Sequence, residues 1–163
     1  MPGAVRIDTM RGSDLGAVAS IEGPTHMDVA QLADELARPW SRLWVAREDE
    51  HAVVAFVVSW HVADELHVLN IATREDRRRR GIARALLAGV VEYARGQRMR
   101  HLLLEVRRSN HPAIALYRSL GFFAMGVRAR YYADDEDAVE MVLMLDPDTG
   151  AVLAHDDEVK LEA

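Results

Sequence analysis

The sequence predicts a mixed α/β (α+β) fold, a central sheet flanked by helices, on three observations. Residues 43–47 and 52–62, the second stretch reading AVVAFVVSWHV, are β-branched and aromatic and enclose a polar turn from Glu48 to His51, the pattern of an antiparallel hairpin. From residue 66 the apolar positions switch between short runs and helical spacing, giving strand 66–73, helix 81–95, strand 101–106 and helix 112–120. Two further strands, 122–130 and 139–145, complete the sheet.

Taken in order, the chain opens with a short strand, Val5 to Met10. Ser13 is a candidate N-cap for a first helix, in which Leu15, Val18, Ala19 and Glu22 follow at helical spacing until Gly23-Pro24 breaks it. A second helix is predicted from Asp28 to Ala37, with Leu32 and Leu36 on one face and Pro39 ending it. The strand from Leu66 to Thr73 is a near-continuous apolar run, which predicts burial on both faces. Gly96 and Gly121 stand where helix-ending glycines belong, and Pro112 stands at a first helical position. The pattern reads as one domain, residues 1–146, and a polar tail, 147–163, to which it assigns no function.

Composition narrows the function. Half of the 163 residues are hydrophobic, enough for a proper core, and the formal net charge is −6. Nucleic-acid binders are normally basic on balance, so direct nucleic-acid binding is not expected and basic partners are favoured. The absence of cysteine excludes disulfides, thiolate metal sites and a covalent cysteine intermediate. No apolar stretch approaches the roughly 18 residues that span a bilayer, and the N-terminus lacks the pattern of a secretion signal, so a soluble, cytoplasmic protein is expected.

The feature that organises the chain is residues 69–84, LNIATREDRRRRGIAR: an apolar strand, an arginine-dense turn, a glycine and a helix. The first N–H groups of a helix have no intrahelical partner and the aligned peptide dipoles favour anions there, so this is a place to hold phosphate. Gly81 lets the backbone turn tightly. An arginine run by itself equally fits a solvated loop or a small nucleic-acid patch; the glycine just before a helix favours phosphate.

Three further residues carry chemistry. Glu105 follows Leu102, Leu103 and Leu104 in a strand that should be central, where a carboxylate is costly unless something uses it. Partly buried, it can accept a proton near neutral pH; it equally fits a strand end that points to water or pairs with Arg107 or Arg128. Tyr117 shares a helix face with Ala113, Leu116 and Leu120, as a core tyrosine would, and its phenol is also suited to protonate a leaving thiolate. Asn110 fits either a helix cap or a ligand contact.

The segment 69–87 resembles the acetyl-CoA-binding segment of the GNAT (GCN5-related N-acetyltransferase) family. That family's signature of Gln or Arg, two residues, Gly, one residue, and Gly or Ala reads here Arg78, Arg79, Arg80, Gly81, Ile82, Ala83. The stretch LEVRRSNHPAIALYRSLGFFAMGVRARYY, followed by EDAVEM, resembles the RimI-type branch, whose members acetylate the N-terminal alanine of ribosomal protein S18. The likeness implies a sheet splayed between its fourth and fifth strands, with acetyl-CoA entering the splay. Ile71, Ala72 and Thr73 would pair their backbone with the pantetheine arm. Arg79, Arg80, Gly81, Ile82, Ala83 and Arg84 would turn N–H groups to the pyrophosphate, and Asn110 would touch the cofactor through its side chain. Glu105 would be the general base and Tyr117 the general acid for direct attack of an α-amine in a ternary complex, with no metal.

One departure bears on the acceptor. The aromatic-Pro-Trp-Ser element of that branch is replaced by Gly23-Pro24-Thr25-His26, while Pro39-Trp40-Ser41 follows the second helix, so the reaction type is better supported than the acceptor. The implied acceptor is a basic protein N-terminus, as of S18. Tyr131 and Tyr132, then Asp134, Asp135, Glu136 and Asp137, lie in the final hairpin, where the family recognises peptide; the acids would attract a basic segment or form a solvated turn. Two alternatives stand beside this reading: the same chemistry on a lysine side chain or small amine, and a catalytically silent acyl-CoA-binding module.

Overall fold

The computed structural model describes residues 5–21, 23, 26–49 and 52–161. Glu22, Pro24, Thr25 and His51, which the sequence places in a helix and two turns, lie outside the described residues. The chain divides into two compact units, Met1–His61 with Val68–Val91, and Val62–His67 with Glu92–Ala163.

In the first unit the strands β1 (Arg6–Thr9), β2 (Ser41–Arg47), β3 (Val53–Val62) and β4 (Glu65–Thr73) are neighbours in that order, the first residues of β4 counting with the second unit. The expected hairpin is present, with Leu43 opposite Val58 and Val45 opposite Phe56. These four residues form a core with Val18 and Leu32, from helices α1 (Leu15–Ala19) and α2 (Val29–Ala37). Asp28 caps α2: its carboxylate accepts from Gln31 N–H at 2.8 Å, and the Gln31 side chain accepts from Asp28 N–H at 2.9 Å.

Two expectations fail in this unit. Ser13 does not cap α1; it lies inside a 3-10 turn, Gly12–Asp14. Asp14 does the terminal work, accepting Arg11 N–H at 2.9 Å while its buried carboxylate pairs with Arg47 at 2.7 Å. Strand β4 is not buried on both faces. Leu66, Val68, Asn70 and Ala72 are buried, whereas Leu69 is 43% exposed. The apolar run conceals a period of two, because the other face carries Glu65, His67 and Thr73 beside Leu69 and Ile71.

In the second unit the order is the start of β4, β5 (His101–Arg107), β7 (Ala138–Leu145) and β6 (Phe123–Arg128). The β4–β5 pair is parallel and β5–β7 and β6–β7 are antiparallel, so the sheet is mixed. Helix α3 (Ile82–Gly96) joins β4 to β5, and α4 (His111–Ser119) joins β5 to β6. The left-handed residue that ends α3 is Arg98, with φ +55, rather than Gly96. Met99 N–H reaches back to the Ala94 carbonyl and Arg98 N–H to that of Arg95, which sets the stop where Met99 enters the core. The tail is part of the sheet: β8 (Val152–Leu153) pairs with Met144 and Leu145 of β7. None of the described helices is long and apolar enough to cross a membrane.

Candidate active site

The first unit carries the arginine-rich loop. Arg74 N–H donates to the Val54 carbonyl at 2.7 Å, fixing the end of β4 to β3. The arginines then divide. Arg74 pairs with Asp76 at 2.6 Å, Arg77 grips both oxygens of Glu48, and Arg78 Nε donates to the Thr73 carbonyl at 3.2 Å, so these three fold the loop. Arg79, Arg80 and Arg84 are exposed, and among the described residues no carboxylate pairs with them.

The loop backbone alternates, left-handed at Arg79 (φ +64) and again at Gly81 (φ +76). Such alternation curls successive N–H groups toward one side and makes an anion-binding concavity. Gly81 is required by its φ and not by crowding, since a Cβ there would meet nothing within 4 Å. Its carbonyl accepts the N–H of Ala85 at 3.0 Å, so α3 starts at once and the N–H groups of Ile82, Ala83 and Arg84 have no intrahelical acceptor. The buried side chain of Ile82 anchors that first turn.

The strand residues Ile71, Ala72 and Thr73 lead directly into this loop. Residue 23 was missed as part of their surroundings. A Cβ there would sit 2.7 Å from the Ala72 Cβ, so the chain passes β4 at a distance only glycine allows.

The second unit carries Glu105 and Tyr117, the candidate base and acid. On β5, Leu102, Leu104 and Val106 face the core and Glu105 faces away, its side chain 32% exposed. Glu105 lies opposite Glu140 in the β5–β7 register, an arrangement of like charges that is unfavourable unless compensated. Arg128 compensates it: the guanidinium binds Glu140 and approaches Glu105 at 3.8 Å. Of the two arginines proposed for Glu105, Arg128 is the partner; Arg107 turns to the acidic loop. Tyr131 completes the group. Its hydroxyl hydrogen-bonds Glu105, which holds the phenol above its usual range, and its ring lies 5.6 Å from the Arg128 guanidinium carbon. Sequence reasoning did not connect Glu140 and Tyr131 to Glu105; the strand register makes that link.

Tyr117 is buried, 6% exposed, and burial pushes its phenol up to about 12 with a smaller push from Tyr132. Its place is set by the end of α4. Gly121 takes φ +105, Phe122 N–H donates to the Tyr117 carbonyl at 3.0 Å, and the two rings pack at 5.8 Å. Asn110 is a helix cap: its Oδ1 accepts the Ala113 N–H at 3.2 Å, which leaves the amide nitrogen as the group suited to a ligand.

The acidic loop is largely neutralised from within. Arg107 binds Asp134 (2.9 Å) and Glu136 (3.0 Å) and lies 4.1 Å from the Tyr132 ring, and Arg108 binds Asp137 at 3.2 Å. Glu136 also accepts the Ser109 N–H at 2.8 Å. The picture of four acids displayed to a basic peptide is therefore corrected: three of them hold the loop.

Such a phosphate loop and carboxylate–phenol set suit acyl transfer from a nucleotide-bearing thioester to an amine. Residues 13–122 match the model of the acetyltransferase (GNAT) family, and the chain belongs to that family. It is an acetyl-CoA-dependent N-acetyltransferase. The [ribosomal protein bS18]-alanine N-acetyltransferase of Escherichia coli strain K12 is 34% identical over 151 residues, 84% of this chain and 95% of its own. An N-alpha-acetyltransferase of Saccharolobus solfataricus is 47% identical over 76 residues, 46% of each chain. The crystal structure of the ribosomal-protein-S18-alanine N-acetyltransferase from Escherichia coli is similar at a TM-score of 0.78 and 29% identity, over 95% of this chain and 97% of that one.

Proposed function

We propose that this enzyme acetylates the α-amine of a protein N-terminus, the N-terminal alanine of a ribosomal protein S18-like substrate, by direct attack in a ternary complex in the cytoplasm. The observation that carries the reading is the Glu105–Tyr131–Arg128 group and a buried Tyr117 in the same unit, in a chain 34% identical over 151 residues to an enzyme of that name. Acetyl-CoA supplies the acetyl thioester. The alternating loop at Arg79, Arg80 and Gly81 and the open N–H groups of Ile82, Ala83 and Arg84 suit its pyrophosphate, Ile71, Ala72 and Thr73 its pantetheine arm, and the Asn110 amide nitrogen a further polar contact.

An α-amine is mostly protonated at pH 7 and is not nucleophilic until it loses that proton. Glu105, exposed and oriented by Tyr131, takes it. Tyr117 keeps its proton throughout the neutral range, because its phenol lies at about 12. A thiol ionises near 8.5, so full transfer from Tyr117 to a thiolate is uphill by roughly three units, and the phenol acts first as a hydrogen-bond donor to developing charge on sulfur. The net charge of −6 favours encounter with a basic segment, although the loop acids contribute less to this than their number suggests.

The test is a mass-spectrometric transfer assay with acetyl-CoA, a basic peptide beginning with alanine, and a copy with its α-amine blocked. Acetylation of the free α-amine alone supports the reading. Modification of lysine side chains in both peptides would move the assignment to the lysine alternative, and failure to bind acetyl-CoA would overturn it altogether.

A further inference from the structure

The segment after β7, which the sequence leaves without a role, makes a set of contacts around the turn that follows Tyr117. Arg118, the next residue of α4, forks onto Asp157 at 2.9 and 2.7 Å. The same carboxylate accepts the N–H of Ala124 at 2.9 Å, and Glu158 N–H donates to the Ala124 carbonyl at 2.8 Å. Both backbone groups of Ala124 on β6 are thus used as a neighbouring strand would use them. His155 stacks on Phe123 at 4.3 Å. Val152 closes over Gly121, leaving no room there for a Cβ, which would lie 2.8 Å from the Val152 methyl.

We propose that residues 152–158 are a positioning brace for Tyr117, with Asp157 as the residue that joins helix α4 to strand β6 and so fixes the direction of the phenol. The proposal rests on the reading of Tyr117 as the donor to the leaving sulfur. Covering the β6 edge would need only a polar strand. The contacts instead converge on Arg118, Gly121, Phe123 and Ala124, the residues that determine where the Tyr117–Phe122 corner lies. A carboxylate shared between a helix guanidinium and a strand N–H ties two elements at one point, and hydrogen bonds to charged partners are the stronger kind.

If the tail only stabilised the protein, disrupting it would lower the melting temperature and leave the effects of other variants unchanged. A brace acts through Tyr117. Asp157→Asn is expected to lower kcat about tenfold, short of the loss that a full ångström of misplacement brings, with KM for acetyl-CoA unchanged. Arg118→Gln, which keeps the partner of Ala124 N–H, should reproduce that loss and guards against a variant that merely unfolds. Tyr117→Phe should cost several-fold less in the Asp157→Asn background than in the wild type, since coupled residues are not additive. Amide exchange at Gly121 and Phe122 should quicken in Asp157→Asn. Additive losses, or wild-type kcat with unchanged exchange, would overturn the brace while Tyr117 keeps its role. Wild-type turnover in Tyr117→Phe would overturn the donor reading and the brace together.

Discussion

The two charged loops of the molecule, residues 74–84 in the first unit and 128–137 in the second, look like opposites in sequence, yet they differ in more than sign. In the first, three arginines are tied to Asp76, Glu48 and the Thr73 carbonyl, while Arg79, Arg80 and Arg84 stay exposed around a curled backbone. In the second, Arg107 and Arg108 bind three of the four acids, and Asp135, at φ +67, is the one left outside those pairs. A charge run therefore predicts a ligand of opposite sign only after the charges that fold the loop itself are subtracted. By that measure the first loop is suited to bind an anion and the second is a clamp; in the function proposed above, the acceptor meets what the clamp presents, Tyr131, Tyr132 and Glu105.

The largest effect should come from the chemistry the clamp presents. Glu105→Gln keeps the shape and removes the base, and turnover should fall at least about a hundredfold, the usual scale for general-base loss. Acetyl-CoA affinity, measured by calorimetry, should hold. Equal loss of affinity would make Glu105 part of the binding surface and blur the contrast between the loops.

Next in size are changes to the first loop. The double variant Arg79→Glu with Arg80→Glu should raise KM for acetyl-CoA about tenfold, with kcat at saturation retained and the difference shrinking as salt is added. Gly81→Ala tests the backbone separately. A left-handed alanine costs about 1–2 kcal/mol, and with no neighbour to strike, that conformational cost is the whole expected effect. Gly81→Asn, which tolerates the same φ better, should recover part of the affinity. If Gly81→Ala binds acetyl-CoA as the wild type does, the loop does not need its curl.

How legible these loops were follows from how local their causes are. The strand, arginine turn, glycine and helix of residues 69–84 lie within one short stretch, so their arrangement could be read from neighbours in sequence. Glu105 and Tyr117 were legible as residue types on the right elements. Of the partners of Glu105, Arg128 was legible as one of two candidate arginines, whereas Glu140 was not: it meets Glu105 only through the β5–β7 register, a pairing that no periodicity announces. The one-sided burial of β4 was hidden because Leu69 and Ile71 make a half-exposed face look apolar. Arg98 ends α3 in place of Gly96 because the burial of Met99, a tertiary event, decides where the helix stops. Asp157 and His155 sit in a stretch without pattern, where only the folded chain shows that α4 and β6 await them.

A smaller effect is expected from loosening the clamp. Arg107→Gln releases Asp134, Glu136 and the Tyr132 ring together, and should raise the acceptor KM several-fold while acetyl-CoA binding stays as it was. Trypsin cleavage after Arg130 should quicken in the same variant. Asp135→Asn removes an acid that none of the clamp's arginines holds, and should move acceptor KM by less than about twofold at physiological salt. A large effect of Asp135→Asn with none from Arg107→Gln would restore the picture of an electrostatic lure and overturn that of a clamp.

The smallest effect concerns pH, and its sign follows from the direction of the shifts. Arg107 holds the Asp134 carboxyl below its usual range, and Glu136 is held low by Ser109 and then by Arg107. Carboxylates shifted down stabilise the folded loop fully above their unfolded values, near 4, and lose that contribution as pH falls through the lower folded values. At the alkaline end the Tyr131 phenol is held up by its hydrogen bond to Glu105, so its contribution is full below about 10 and is lost as pH rises through the higher folded value. The clamp should therefore be constant across the whole neutral range, and any pH dependence of turnover there belongs to the reacting amine. Amide NMR shifts of Glu136 and Ser109, whose N–H groups donate to Asp134 and Glu136, followed from pH 7 downward, should stay flat until below about 4. Midpoints at or above the ordinary carboxylate values would mean that Arg107 does not hold the acids in solution, and the second loop would then be a display of charge like the first.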